Sequence, residues 1–255
     1  MAELRERILE RDARGYTVLE GITYGGRKSL NTASKPCSVV AIDGKTYWVK
    51  AEVQQGLVAE LVAGRLADKL HCGPPVRVLR VTPGVLSSEP DCAHLEGIVF
   101  GSREVPASEN GRDLGHLLAD GRFAPGVIDE AARARVGVFQ TWVGADDAQV
   151  LVGFRDGGIW SIDHGAVFGA LTGGDPVPTV TSVPGVGDDV GRRMGDLMAA
   201  VAAVEELTEA DFVDAVSGIP YGDPWRSLVE RRVEIVDYLL RRRRSLRDVI
   251  RGWAT

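Results

Sequence analysis

Two β-prone runs stand close together early in the chain, Ser38-Val39-Val40-Ala41-Ile42 and Lys45-Thr46-Tyr47-Trp48-Val49-Lys50, with Asp43-Gly44 between them. An Asp-Gly pair between such runs predicts a hairpin with a tight primed turn. From Glu52 to Leu70 the apolar positions change period. Val53, Leu57, Val58, Leu61, Val62, Leu66 and Leu70 spread around most of a helical circumference, which predicts a largely buried helix ended by Gly73-Pro74-Pro75. Tyr16 to Tyr24, Val76 to Val81 and Leu95 to Phe100 read as further strands, with a loop at Gly25-Gly26-Arg27-Lys28-Ser29.

Beyond Glu104 the pattern becomes helical. Leu114 to Leu118 and Val127 to Trp142 read as helices. A second strand pair follows, Gln149 to Phe154 and Ile159 to Asp163, around Arg155-Asp156-Gly157-Gly158. A Gly/Pro-rich loop runs from Gly169 to Gly191. Helices at Arg192 to Leu207, Glu209 to Ser217 and Pro224 to Trp253 close the chain, the second with Thr208 as N-cap and Asp211 three residues on. Sheet first and helices later predict an α+β protein of two lobes, divided as residues 1–103 and 104–255.

Composition narrows the function classes. With 36 acidic against 30 basic residues the net charge is −6, so no bulk attraction to nucleic acid or to an anionic membrane is expected. No apolar run approaches a membrane span. The charged opening MAELRERILERDARG is unlike a signal peptide. Cys37, Cys72 and Cys92 show no metal-type spacing and suggest a reducing compartment without a disulfide framework, hence a cytoplasmic protein. The four histidines are scattered, which argues against a zinc site. Lysine occurs only at positions 28, 35, 45, 50 and 69, so a lysine at the end of a strand draws notice.

Two clusters could carry chemistry. If Asp156-Gly157 form the turn of the late hairpin, Val150 lies opposite Asp163 and Gln149 opposite His164. Asp146 or Asp147 then joins them at the same end. Carboxylates gathered there repel unless a cation or proton intervenes, and a hard cation with oxygen ligands, Mg²⁺, would answer them. The alternative is that Asp146 and Asp147 cap the preceding helix and face water. In the early cluster, Glu60 has Val53, Leu57, Gly64 and Ala67 as helical neighbours. A carboxylate on such a surface needs a partner, and Lys50 is the natural one. The alternative is a surface lysine beside a half-exposed glutamate. The string Gly185-Val186-Gly187-Asp188-Asp189-Val190-Gly191 has the wrong spacing and setting for a dinucleotide fingerprint.

Taken together, a strand lysine, a helix glutamate, an Asp before a strand pair and an Asp after it follow the order of parts in protein-kinase-like phosphotransferases. Four stretches resemble the HipA-like kinases. They are YGGRKSL, GKTYWVKAEV with AELVAGRLADKL, FQTWVGADD…QVLV with IWSIDHGAVF, and GIPYGDPWRSLVERRVEIVDYLLRRR. The IDHG stretch is the most specific.

The resemblance implies a bilobal kinase-like fold that uses ATP and Mg²⁺. It places Lys50 on the ATP phosphates with Glu60 supporting it. Asp147, rather than Asp146, becomes the acceptor-side catalytic residue, and Asp163 the Mg²⁺ ligand. Backbone amides around Gly25, Gly26 and Ser29 would cover the phosphates. The family's Asn after the catalytic Asp is absent between Asp147 and Asp163, leaving Gln149 as the amide for the second metal position. Two functions follow. One is a kinase acting on a hydroxyl of a protein or small-molecule acceptor. The other is a pseudokinase that binds nucleotide or a partner without transfer.

Overall fold

The computed structural model describes residues 2–28, 35–51, 55–106, 108–111, 129–145, 149–153, 157–165, 167–168, 193–222, 225 and 227–253. Ser29, Asp146, Asp147, the helix expected at 114–118 and the loop 169–191 lie outside the described residues.

Helix α1 (Ala2–Asp12) opens the chain. Strands β1 (Val18–Lys28), β2 (Cys37–Ala41) and β3 (Thr46–Lys50) follow, then α2 (Gln55–Lys69), β4 (Val76–Val81), a 3₁₀ turn (Pro90–Leu95) and β5 (Gly97–Arg103). The five strands close into a barrel in the order β1-β2-β3-β5-β4, sealed by parallel pairing of β1 with β4. Alternate residues of β2, β3 and β4 fill its interior: Val39, Ala41, Tyr47, Val49, Leu79 and Val81 are all buried. Strand β6 (Ser108–Gly111), β7 (Gln149–Gly153) and β8 (Ile159–Ile162) form a second, antiparallel sheet. Helix α3 (Glu130–Val143) precedes β7, and α4 (Met194–Glu205), α5 (Glu209–Val216) and α6 (Val229–Gly252) complete an α+β arrangement.

A second core joins α2 to the later helices through Leu57, Leu61, Leu66, Phe139, Trp142 and Val236. Helix α1 packs there too, through Leu4 and Ile8, one turn apart. Asp12 at its end meets the fully buried Arg232 of α6 at 2.7 Å. The capping box at Thr208 and Asp211 forms as the sequence predicts. Sequence reading missed α1, because two apolar residues among charges give little periodic signal, and β6, because Ser-Glu-Asn-Gly has no apolar alternation.

Four expectations are corrected. The early hairpin pairs Val39 with Tyr47 and Cys37 with Val49, and Ala41 N–H bonds Lys45 O at 2.9 Å. The connection is therefore Ile42-Asp43-Gly44, with Gly44 left-handed (φ 73°), not a two-residue Asp-Gly turn. This register lets Tyr47 and Val49 share the barrel interior with Val39 and Cys37. A shift of one residue would set Tyr47 against Val40 and break that match.

Strand β1 runs through Gly25 and Gly26 to Lys28, so the glycines lie in a bulged strand and not in a loop. A side chain at Gly25 would collide with Ser38, whose hydroxyl accepts the Arg27 N–H and donates to the Arg27 carbonyl. Gly26 takes φ 83°, open to glycine without strain.

In the late hairpin Val150 lies opposite Ser161 and Gln149 opposite Ile162, and Gly153 N–H bonds Gly158 O. The connection thus spans residues 154–157. A shift of two residues preserves facing, so burial of Val150, Val152 and Ile159 could not select between registers. Asp163 adopts φ 59°, which ends the extended run and sets it just beyond the ladder. Finally, Cys37 and Cys92 form a disulfide across 55 residues, where free thiols were expected. The barrel and the 3₁₀ turn bring their Cα atoms to 6.4 Å, within bridging range.

Candidate active site

Strand β3 delivers Lys50 at its last residue, opposite Phe100 of β5. Helix α2 crosses behind it. Gly64 allows the crossing to be close, since a Cβ there would lie 2.6 Å from Val76 of β4. That closeness brings Glu60, one turn earlier and 2% exposed, within reach of the lysine. Lys50 Nζ lies 2.8 Å from Glu60 Oε1 and 2.7 Å from Asp163 Oδ1. The second Glu60 oxygen, Oε2, accepts the backbone N–H of His164 at 3.0 Å. One buried carboxylate therefore joins β3, α2 and the segment after β8.

That segment is fixed from behind. Ser161 N–H bonds Cys72 O at 2.7 Å, tying β8 to the end of α2. Ser161 Oγ lies 2.9 Å from His164 Nε2. Gln140 of α3 donates through Nε2 to Ser161 Oγ (3.0 Å) and to the carbonyl of Gln149 (3.2 Å). Phe139 meets the His164 ring edge to face. Gln140 and Ser161 escaped sequence reading because each is a single buried polar residue whose partners lie on other elements.

The electrostatics follow from burial and three close charges. Burial opposes the Lys50 charge, but Glu60 and Asp163 outweigh it and hold the ammonium above the usual lysine range. Burial pushes the Glu60 carboxyl up to about 7. The Lys50 ammonium limits the rise, and the Asp163 charge adds to it. Burial would also raise Asp163, yet contact with Lys50 keeps it below the ordinary aspartate range. Burial and the nearby Lys50 charge lower His164 to about 3, so its ring is neutral near pH 7.

Lys50, Glu60 and Asp163 line a cavity of about 360 Å³. Gln149, at the start of β7, lines it too, so four sequence-predicted residues share one space. Gly25 and Gly26 do not line it. Arg27 does, placed by β1, ion-paired with Glu104 and 5.9 Å from the Trp48 ring. Arg27 was passed over because it stood inside an expected glycine loop. Phe100, Ser102 and Arg103 of β5 form another wall.

Among the described residues no three His, Cys, Asp or Glu side chains are grouped as a metal centre. The donors present nevertheless suit a hard divalent cation. Asp163 and Gln149 offer oxygens, and the Asp163 side chain is 36% exposed to the cavity. No helix among the described residues is long and apolar enough to cross a membrane.

No curated protein sequence matches the chain. The solved structure of the Helicobacter pylori proinflammatory kinase CtkA is similar in fold. Its TM-score is 0.53 at 14% identity, over 93% of this chain and 99% of that one. The Golgi casein kinase gives a TM-score of 0.43 at 11% identity, over 97% of this chain and 76% of that one. The family model for HipA-like kinases matches residues 26–154, just over half of the chain, from the bulged end of β1 through β7. The chain belongs to the HipA-like kinase family.

Proposed function

We propose that this protein is an ATP- and Mg²⁺-dependent phosphotransferase acting on a hydroxyl group. The reading is carried by one observation: the Lys50 ammonium is held between Glu60 and Asp163 at the wall of a cavity between the barrel and the second sheet. In this reading residues 1–103 and 104–255 act as two lobes around a nucleotide. Lys50 holds the α- and β-phosphates as a point charge, and Glu60 fixes its direction. Burial keeps both side chains from rearranging when a triphosphate arrives, so less reorganisation opposes the chemistry.

Asp163 and Gln149 are the residues that would hold Mg²⁺. Held there, the ion would supply positive charge that offsets the charge of the phosphates. Asp147 orients the acceptor hydroxyl and takes its proton as phosphoryl transfer proceeds. Arg27, which lines the cavity, adds positive charge for the phosphates. The backbone N–H of His164, held on Glu60 Oε2, fixes the segment that carries Asp163 beside the lysine.

The second reading is a pseudokinase that binds nucleotide without transfer. The missing Asn favours it. Gln149 is the one amide side chain between Asp147 and Asp163, and it is longer by one methylene. Radiolabelled ATP, incubated with the protein alone and with protein and small-molecule acceptors, separates the two. Label on any acceptor or on the protein itself supports the kinase. Saturable Mg-ATP binding with no label anywhere supports the pseudokinase.

A further inference from the structure

A second cavity, of about 480 Å³, lies beside α2 and is not lined by Lys50. It is walled by α1, the turn into β1, α2, β4 and the end of α5. Four guanidinium groups border it, those of Arg11, Arg14, Arg65 and Arg77, against one carboxylate, Asp214. Asp214 is already committed to Arg11 at 2.8 Å. The nearby Asp12 is bound to Arg232, the Tyr221 hydroxyl and the Gly218 N–H. Arg14, Arg65 and Arg77 have no carboxylate within ion-pair distance among the described residues.

Several other arginines of the chain do find carboxylates. Arg80, also exposed on β4, pairs with Glu20 at 2.9 Å. Arg7, Arg27 and Arg247 have partners as well.

A capping role accounts for part of Arg65. Its Nη1 donates to the carbonyls of Ala215 (2.9 Å) and Ser217 (2.6 Å) at the end of α5. Its other nitrogens have no hydrogen-bond partner among the described residues. Arg77 uses Nη1 on the carbonyl of Val76 and nothing else described. Burial, and then the like charge of Arg77, lower the Arg65 guanidinium to about 10, outweighing the opposing charges of Asp214 and Asp12.

We propose that this cavity is a binding site for the phosphate group of a small molecule, separate from the catalytic cavity, with Arg14, Arg65 and Arg77 as its cationic ligands. Guanidinium forks match the paired oxygens of phosphate, and a dianion relieves the repulsion between Arg65 and Arg77. The volume exceeds what inorganic phosphate fills, leaving room for an organic group. Val76 lines both cavities, so a test must exclude binding beside Lys50.

Calorimetric titration at matched ionic strength tests the proposal, using inorganic phosphate, pyrophosphate and glycerol 3-phosphate as probes. The full chain is compared with the Arg14→Ala/Arg77→Ala double variant and with Lys50→Ala. The expected result is saturable binding of at least one probe to the parent, retained by Lys50→Ala and roughly ten- to hundredfold weaker in the double variant. Tighter binding of the ester assigns the site to an organophosphate. Equal or tighter binding of the inorganic anions assigns it to free phosphate. Absence of saturable binding, undiminished binding in the double variant, or loss in Lys50→Ala each overturns the proposal. The kinase reading is not touched by these outcomes.

Discussion

Glu60 Oε2 accepts the backbone N–H of His164 at 3.0 Å, across 104 residues of sequence, while Oε1 of the same carboxylate holds Lys50 at 2.8 Å. The bond couples the position of α2 to the segment that carries Asp163. Each of the two charged residues facing the cavity is thus set by a third that is hidden from solvent.

Removing that third residue should be costly. Glu60→Ala leaves the His164 N–H unpaired and strips Lys50 of one of its two anions. We expect a loss of roughly 2–4 kcal/mol in denaturant unfolding, with a smaller loss for Glu60→Gln, which keeps a carbonyl oxygen. A change below about 0.5 kcal/mol in Glu60→Ala would mean that the bridge contributes nothing to the fold.

The buried histidine gives a pH signature. Its folded-state value near 3 lies below its ordinary 6.5, so the unfolded chain binds the extra proton between those values. Its contribution is present above about pH 6.5 and is lost as pH falls toward 3. Glu60 acts in the opposite sense. Its folded value near 7 exceeds its ordinary 4.5, so it favours the fold as pH falls from 7 to 4.5. The two oppose one another above 4.5, and His164 stands clear of Glu60 below it. In metal-free buffer between pH 4.5 and 3, His164→Asn should flatten the fall in stability by up to about 1.4 kcal/mol per pH unit. Parallel profiles for variant and parent would show that the histidine does not titrate on unfolding.

The Cys37–Cys92 bridge closes a 55-residue loop around the barrel. In the chain-entropy account such a loop is worth about 4 kcal/mol. Dithiothreitol should therefore lower the melting temperature, and a Cys37→Ser/Cys92→Ser variant should match the reduced protein. Equal melting temperatures with and without reductant would remove the bridge from the stability account.

Asp147→Ala should leave the melting temperature and Mg-ATP affinity close to those of the parent and abolish phosphoryl transfer. Full transfer by that variant would move the acceptor-side role to Asp146 or elsewhere.

Much of this architecture is legible in the sequence because its signals are local. Val76–Val81 reads as a strand from its β-branched run, and Thr208 as a cap from the Asp three residues later. Pairing of Lys50 with Glu60 could be inferred since a carboxylate among Val53, Leu57 and Ala67 must find a cation. Register was less accessible. Both hairpins shift from the expected pairing because the turn residues, Asp43-Gly44 and Asp156-Gly157, suit more than one loop length, and only in the first does facing into the barrel distinguish the registers. Least legible were the long-range polar contacts. Gln140, Ser161 and the amide of His164 look unremarkable in one dimension, and what matters about them is which strand end or helix each one meets.

In the proposed reading Lys50 and Asp163 together hold a metal-bound triphosphate. Calorimetric titration of ATP into the parent, Lys50→Ala and Asp163→Asn, each with and without Mg²⁺, tests it most directly. The account predicts saturable Mg²⁺-dependent binding to the parent, affinity at least about tenfold weaker in Lys50→Ala, and loss of the Mg²⁺ dependence in Asp163→Asn. Equal Mg-ATP affinity in all three proteins would contradict it.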